Sequence, residues 1–304
     1  MLITMIVLTA VSDWSLAVAE QQYFSSPQQA IAALTGAIEQ GDDTKLLDIL
    51  GAGANDLISS GDKVADQNGK ARFLKAYQMS NGLEQEHEGQ MRLLIGHKNY
   101  PFPIPIVRRD NAWFFDTQAG MEEILNRRIG RNELHTIQVM QAYTNAQREY
   151  ACLVRDAGTP VFAKKLASNP GARDGLYWET AEGEAESPFG PLVAKAAKKG
   201  YSFGLNGGTD NPFHGYFFKI LKSQGEHATG GAFDYVIGDK MILGFAMVAY
   251  PAKYGASGIM SFIVNQEGLV YEKDLGENTS VVAEAMTAFD PDGSWKKYEE
   301  ISEP

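Results

Sequence analysis

Apolar residues in the first third of the chain recur with a helical period. A serine pair followed by Pro27 is typical of a helix start, and apolar side chains then return every three or four positions as far as Ile38. A second apolar cluster, 46–50, ends at Gly51, where a helix is expected to stop. The pattern therefore predicts a helical hairpin, followed by a further helix over 69–79.

The middle of the chain changes from a strand-like to a helical pattern. Apolar and aromatic runs over 91–95, 100–107 and 112–116 predict a small sheet, and prolines confine the second run to an edge. From 119 to 154 apolar residues recur every three or four positions and predict the helical spine of a first domain. We expect this helix to be interrupted near Gly130, because glycine lets the backbone turn sharply.

From residue 156 the composition shifts to Gly, Pro, Ala and charge, which is typical of a solvated connecting segment. Apolar runs and Gly-rich turns then predict an antiparallel meander, closed by a short helix over 281–289. The chain is therefore predicted to be α+β, a helical N-terminal part with a small sheet followed by a C-terminal antiparallel β meander with a closing helix. We expect a first domain over 20–155, a connecting segment over 156–213 and a β domain over 214–304.

The first 19 residues have the pattern of a signal peptide. A short apolar run starts at Leu2, and Ala17-Val18-Ala19 supplies the small-x-small cleavage pattern. The run is shorter than the roughly 20 apolar residues that span a bilayer. We therefore expect a periplasmic or secreted protein with no stable membrane anchor after cleavage. Residues 1–19 contain no Lys or Arg, so a start codon further upstream and a buried N-terminal strand or helix are alternatives.

Composition and charge narrow the classes of partner. The chain has 304 residues with 27 basic and 38 acidic side chains, and its net charge of −11 repels phosphate backbones, so no nucleic-acid partner is expected. Cys152 is the only cysteine, which rules out an internal disulfide, and its apolar neighbours predict a buried thiol. The histidines lack the close spacing of zinc motifs, so we expect neither a metal site nor a cofactor.

Several short phrases of the sequence are more specific than its composition. They combine charged, aromatic and glycine residues and are distributed over nearly all of the chain after residue 19. These phrases are Ser60-Gly61-Asp62, Trp113-Phe114-Phe115-Asp116, Arg127-Arg128-Ile129-Gly130-Arg131-Asn132-Glu133, Ala146-Gln147-Arg148-Glu149-Tyr150, Asp174-Gly175-Leu176-Tyr177-Trp178, Ser187-Pro188-Phe189-Gly190-Pro191, Gly244-Phe245-Ala246, Ala249-Tyr250-Pro251, Tyr254-Gly255 and Leu275-Gly276. As a set they resemble a bacterial family catalogued as domain of unknown function 2950. The resemblance implies an exported protein of bacterial envelopes and brings no catalytic residues with it.

The arginine-rich segment 127–133 carries the densest charge. Glu123 and Arg127 are four residues apart, the spacing at which opposite charges pair on a helix, and Asn132 is placed to cap a following helix. One interpretation is a Glu–Arg network that fixes a helix junction. The other is an anion site, because guanidinium groups hold carboxylates and phosphates with paired hydrogen bonds. Tyr177 and Trp178 form an aromatic pair that is either a sugar or peptide platform or an anchor of a long loop on the core. The candidate ligand-binding residues are Arg127, Arg128, Arg131, Arg148, Tyr177 and Trp178.

Candidate catalytic groups are sparse. His214 lies beside aromatic residues on a loop that enters the β region, and scattered carboxylates could supply acid and base pairs. The candidate catalytic residues are His214, Glu133 and Asp116. Because these groups form no recognisable motif, we expect a non-catalytic envelope module that binds a protein, peptide or glycan partner. The alternative is a periplasmic hydrolase that acts on cell-wall or peptide material.

Overall fold

A helix of 37 residues, Thr117–Leu153, is the central element of the fold. The computed structural model describes residues 21–156, 158–181, 183–201 and 211–299, so the signal peptide predicted over 1–19 lies outside the described residues. Within the described residues the α-helices are α1 (Pro27–Gln40), α2 (Asp43–Leu50), α3 (Asn55–Ile58), α4 (Lys63–Met79), α5 (Thr117–Leu153), α6 (Gly190–Ala197) and α7 (Thr279–Ala285). None of these helices combines the length and apolarity needed to cross a membrane.

The predicted helical hairpin is formed by α1 and α2. The Ser26 hydroxyl accepts a hydrogen bond from the Gln29 amide, Pro27 occupies the first turn, and α1 ends at Gly41 in the left-handed conformation. These are the start and stop signals that the sequence contains. The predicted third helix begins earlier than expected, at Lys63, because the Asp62 carboxylate caps it by accepting from the Ala65 amide.

A five-stranded antiparallel sheet packs against this helical layer. Its strands are β1 (Asn81–His87), β2 (Gln90–Ile95), β3 (Tyr100–Pro101), β4 (Ile106–Arg109) and β5 (Ala112–Phe115). They lie in the order β1-β2-β4-β5, with β3 also paired to β2. Leu93, Ile106 and Phe115 face the apolar sides of α1 and α2 and form the N-terminal core with them. The mostly polar strand β1 was not predicted, because both of its faces are largely exposed and no alternation results.

The C-terminal half confirms the predicted antiparallel meander. The remaining strands are β6 (Arg155–Asp156), β7 (Thr159–Pro160), β8 (Tyr216–Leu221), β9 (Ser223–Gln224), β10 (Phe233–Asp234), β11 (Val236–Ile237), β12 (Lys240–Met241), β13 (Ala246–Pro251), β14 (Met260–Asn265), β15 (Val270–Asp274), β16 (Ala288–Phe289) and β17 (Lys296–Lys297). The main sheet has the order β17-β15-β14-β13-β8, with all neighbours antiparallel. The closing helix α7 packs beside β13. It ends at Ala285, before the end of the predicted range 281–289, because Ala288–Phe289 pair with β9 as strand β16. The α+β fold class is therefore confirmed.

The predicted interruption of the long helix at Gly130 is wrong. Helix α5 continues through Gly130, and Asn132 is a buried residue inside it that donates a hydrogen bond to the Ser257 carbonyl, not a helix cap. One glycine costs a helix about 1 kcal/mol. Packing along both ends of α5 exceeds that cost, because Ile124 packs on the N-terminal core while Tyr143 is fully buried in the C-terminal one.

Residues 156–213 contain more structure than the predicted connecting segment. Helix α6 lies there, and Leu176, Trp178 and Phe189 are buried in the C-terminal core, whereas the acidic run near 184 is exposed as expected for a solvated loop. The domain boundaries at 155 and 213 stay predictions. The predicted burial of Cys152 is wrong, since its thiol is exposed on the last turn of α5.

Two glycines of α5 make a matched test of this packing. A Cβ at Gly120 would lie 2.6 Å from backbone atoms of Pro103 and Ile104, whereas a Cβ at Gly130 would meet nothing within 4 Å. Gly120→Ala should therefore lower the free energy of unfolding by about 2 kcal/mol, since a packed backbone has to shift. Gly130→Ala should raise it by about 0.5–1 kcal/mol through helix propensity. Urea denaturation followed by circular dichroism measures both, and a stabilised Gly120→Ala protein would contradict the close approach.

Candidate functional site

A cavity of about 800 Å³ lies where the N-terminal helices meet α5 and the segment after α6. The N-terminal helices α1, α2 and α3 contribute aliphatic side chains to its wall. These side chains are Leu34, Ile38, Leu46, Leu50, Leu57 and Ile58. Phe73 on α4 and Phe102 in the loop after β3 extend the apolar wall, with their ring centroids 5.3 Å apart. The cavity is therefore continuous with the hydrophobic core of the first half.

Helix α5 lines the cavity with a stripe that changes from apolar to cationic along its length. Ile124, Arg128, Arg131 and His135 follow one another at spacings of four, three and four residues, which places them on one face. At about 1.5 Å per residue the stripe is about 16 Å long. The apolar end lies towards the N-terminal core, and the cationic end lies towards the start of β8.

Cations dominate the charged part of the described lining. They are Lys70, Arg72, Arg128, Arg131, Lys198 and Lys199, against the single carboxylate of Asp66. The Asp66 carboxylate accepts hydrogen bonds from the amide and the hydroxyl of Ser60, at 2.9 and 2.7 Å. This imbalance is opposite in sign to the net charge of −11 of the whole chain. Positive charge is thus concentrated at one internal surface of an acidic protein.

Arg128 has a structural role in this wall. Its guanidinium donates to the backbone carbonyls of Asp56 and Leu57, at 2.6 and 2.5 Å, and so joins α5 to α3. Burial lowers the pKa of Arg128, and the nearby charge of Arg131 lowers it further, while the Asp66 carboxylate opposes the shift. Arg131 itself makes no such bonds with the described residues and is exposed at the cavity.

The buried carboxylate of Asp62 holds the cationic end of the cavity in place. Only 1% of Asp62 is exposed. One carboxylate oxygen accepts a hydrogen bond from the Ala65 amide at the start of α4. The other oxygen accepts hydrogen bonds from the Tyr201 hydroxyl, at 2.9 Å, and from the Gly215 amide, at 2.7 Å. Burial raises the pKa of Asp62, while these donors act in the opposite direction. One side chain thereby joins three segments that are far apart in sequence.

His214 is fixed in an unusual backbone conformation at this junction. Its φ of 52° lies in the left-handed region, which only a few per cent of non-glycine residues adopt. Its ring stacks on His135 with centroids 4.3 Å apart, and its Nε2 lies 3.2 Å from the Nζ of Lys199. Burial lowers the pKa of His214 to about 3, and the charges of His135 and Lys199 contribute. The ring is therefore neutral at pH 7 and accepts a hydrogen bond from the Lys199 ammonium.

The structure brings only some of the candidate residues together. His214, Arg128 and Arg131 line the cavity, whereas Arg127 pairs with Glu123 on the outer face of α5 and Arg148 donates to the Gln266 carbonyl. The predicted Glu123–Arg127 pair is thus confirmed.

The other candidates have structural contacts outside the cavity. Glu133 accepts the amides of Ile259 and Met260, both at 3.0 Å, and so holds the start of β14. Asp116 caps α5. Trp178 is buried in the C-terminal core and lies under Arg173, with half-buried Tyr177 beside it, as expected for an aromatic pair that anchors a loop.

Sequence reasoning missed most of the cationic wall. Arg72, Lys198 and Lys199 lie on separate elements and form no motif, and the histidine pair 135 and 214 is separated by 79 positions in the numbering. The helical spacing of Arg128, Arg131 and His135 was the available signal, but it was hidden by the predicted break at Gly130.

A family model described as "Protein of unknown function (DUF2950)" matches residues 21–298. The chain belongs to the DUF2950 family. No curated protein and no solved structure matches the chain. The matched range of this DUF2950 protein covers both halves and the entire described lining of the cavity.

Removing the Asp62 carboxylate should separate the three segments that it joins. Asp62→Ala leaves buried donors of Tyr201 and Gly215 without an acceptor, so the free energy of unfolding should fall by about 3 kcal/mol. Asp62→Asn keeps one oxygen for these two donors and loses mainly the cap, so a fall of about 1 kcal/mol is expected. Urea denaturation at pH 7 distinguishes the two variants, and equal stabilities would contradict the assigned bonds.

Acidification should destabilise the DUF2950 protein through His214. Since the folded pKa of about 3 lies below the ordinary 6.5, the unfolded chain binds the proton first, and stability falls as the pH drops from 6.5 towards 3. Asparagine tolerates the left-handed conformation, so His214→Asn should keep the fold. Between pH 7 and pH 5 the free energy of unfolding of this variant should fall by about 1–2 kcal/mol less than that of the natural protein.

His227 provides a control of opposite sign. Its pairing with Asp290 raises the pKa of His227, so its contribution to stability is present below 6.5 and is lost as the pH rises through the folded pKa. The His227→Asn protein should therefore lose slightly more stability than the natural protein on acidification. Urea midpoints measured from pH 7 to pH 5 test both variants, and identical pH profiles for His214→Asn and the natural protein would refute the assignment.

Proposed function

We propose that this DUF2950 protein is an exported, non-catalytic binding module of the bacterial envelope, and that the cavity beside α4 and α5 holds its ligand. The observation that carries the proposal is the cavity itself. Its volume of about 800 Å³ falls within the roughly 300–1,000 Å³ of small-molecule sites. A small envelope compound, a peptide segment or a glycan fragment belongs to that size class. The leader-like pattern of residues 1–19 supports export and a periplasmic or secreted location.

Hydrolysis of cell-wall or peptide material is the alternative, and the geometry favours it less. His214 does line the cavity together with Arg128 and Arg131 of the segment 127–133. However, a histidine with a pKa near 3 is a weak base at neutral pH, and its Nε2 already accepts from Lys199. The carboxylate of the described lining, Asp66, is bonded to Ser60, and the other two catalytic candidates lie outside the lining.

A helical glycine offers a way to fill the cavity without disturbing the fold. Gly69 lines the cavity on α4, and a Cβ there would meet only the guanidinium of Arg72, at 3.8 Å. Gly69→Leu should therefore keep the stability of the natural protein, because leucine has the higher helix propensity. It should weaken binding of any cavity ligand about tenfold or more. Gly36→Leu on α1 is the matched control, since Gly36 has open space and lies outside the described lining.

The assay is isothermal titration with a fixed panel of compounds. The panel contains a muramyl dipeptide, chitotriose, an acidic and a neutral hexapeptide, and dodecanoate. At least one compound should bind the natural protein and Gly36→Leu alike and bind Gly69→Leu much more weakly. Binding of no panel compound, or binding that Gly69→Leu leaves unchanged, would overturn the cavity as the ligand site. Turnover of ester, glycoside or peptide substrates that is lost in His214→Asn would establish the hydrolase instead.

A further inference from the structure

Three cations of the cavity have neither an ion pair nor a side-chain hydrogen bond in the described part of the chain. Lys70 pairs with Asp43, Arg128 binds backbone carbonyls, and Lys199 donates to His214. Arg72, Arg131 and Lys198 have no ion pair and no side-chain hydrogen bond to any described residue. Their donors are therefore available to a ligand.

The charge of Arg72 repels two other cations of the cavity, Arg131 and Lys199. Burial lowers the pKa of Arg131, and the neighbouring charge of Arg72 lowers it further. Burial likewise lowers the pKa of Lys199, with Lys195 and Arg72 adding to the effect. Like charges held together are destabilising unless an anion lies between them, because each favours the neutral form of the other. An anion at this end of the cavity would remove that repulsion and accept charge-assisted hydrogen bonds.

The rest of the wall is aliphatic and continues from the cationic end. On α5 the change takes place within one stripe, from Ile124 to His135, over about 16 Å. Leu34 on α1 and Leu57 on α3 belong to the same apolar wall. A ligand that fits both ends has an anionic head and an apolar body. Burial of that body removes apolar surface from water, which favours binding.

Other ligand classes fit the lining less well. Extended peptides commonly bind by adding a strand to an exposed sheet edge, but the described lining comes from helices and loops. Among the aromatic residues of the described lining, the rings of Phe73 and Phe102 are tilted against each other, while Tyr201 packs edge-on to Phe213 and bonds to Asp62. These rings are engaged with protein neighbours, which favours stacking on a sugar less. The net charge of −11 opposes nucleic acids.

We infer that the cavity binds a single-chain anionic amphiphile, with Arg131, Arg72 and Lys198 around the anionic head and the leucine and isoleucine wall around the chain. The inference rests on the proposed binding function and names its ligand class. The head is a carboxylate, as in a free fatty acid, or a phosphate, as in a lysophospholipid. Both chemistries match the paired donors of a guanidinium group.

Isothermal titration of the full-length protein with three 12-carbon probes tests the inference. The probes are dodecanoate, 1-dodecanoyl-glycerol-3-phosphate and neutral 1-monododecanoyl glycerol, each below its micelle concentration. At least one anionic probe should bind about tenfold more tightly than the neutral one at pH 7, as expected for one charge-assisted interaction. Raising the salt concentration should reduce this difference. The ratio between the two anionic probes distinguishes a fatty acid from a lipid phosphate.

Two arginines one turn apart on α5 supply the matched variants. Arg131→Gln removes a cavity cation, whereas Arg127→Gln removes an exposed one that pairs with Glu123 outside the lining. Arg131→Gln should lower the affinity for the preferred anionic probe about tenfold and change the affinity for the neutral probe by less than twofold. Arg127→Gln should change neither affinity.

The outcomes separate this inference from the proposed function. Equal binding of neutral and anionic probes, abolished by Gly69→Leu, would overturn the anionic head and leave the cavity as a ligand site. Equal effects of Arg131→Gln and Arg127→Gln on the affinity for the anionic probe would also overturn the proposed site of the anionic head. Binding of the glycan or a peptide alone from the wider panel would replace the ligand class. Failure of every compound to bind would overturn both proposals.

Discussion

The arrangement at the centre of the molecule depends on one buried carboxylate. Taking the charge of Asp62 out of water costs several kcal/mol unless donors replace the lost hydration. The structure supplies three donors, and the N-terminus of α4 adds the favourable end of its dipole. Two of the donors come from segments that follow α6 and precede β8. The carboxylate therefore selects a single placement for both segments, and Lys199 and His214 lie where that placement puts them.

The charge distribution around this junction has a consequence for association. Beyond about 10 Å at 0.1 M salt a surface charge is largely screened, so an approaching anion meets the acidic exterior only weakly. Within the cavity it meets cations that are partly withdrawn from water, where screening is less effective. The net charge of the chain and the charge of the cavity lining therefore have opposite signs. Selectivity for negative charge is therefore compatible with a net charge of −11.

Local signals made the elements predictable, and contacts between distant residues made the site unpredictable. The start of α1 and the apolar runs and Gly-rich turns of the C-terminal meander follow from neighbouring residues, and both predictions were confirmed. The continuity of α5 through Gly130 depends on packing at both ends, which a local propensity cannot report. The exposure of Cys152 depends on which face of the last turn remains uncovered.

The candidate site shows the same division. Arg128 and Arg131 were found because they lie in one charged phrase, and His214 because of its aromatic neighbours. Nothing in the sequence joins those residues to Arg72 or to the lysines after α6, since these residues lie on separate elements that meet only in the folded protein. The phrase Ser60-Gly61-Asp62 is part of the resemblance to the family, and its physical role became visible only with the fold.

The length of α5 bears on how the molecule loses its structure. At 37 residues the helix is about 55 Å long, and its two ends are built into different hydrophobic cores. Melting of its central turns would withdraw side chains from both cores at once. The two halves are therefore thermodynamically coupled, and cooperative unfolding in one transition is the expected behaviour, although the chain exceeds the size at which two-state behaviour is usual. Because both cores share this helix, the two parts that the sequence pattern separates are expected to unfold as one cooperative unit.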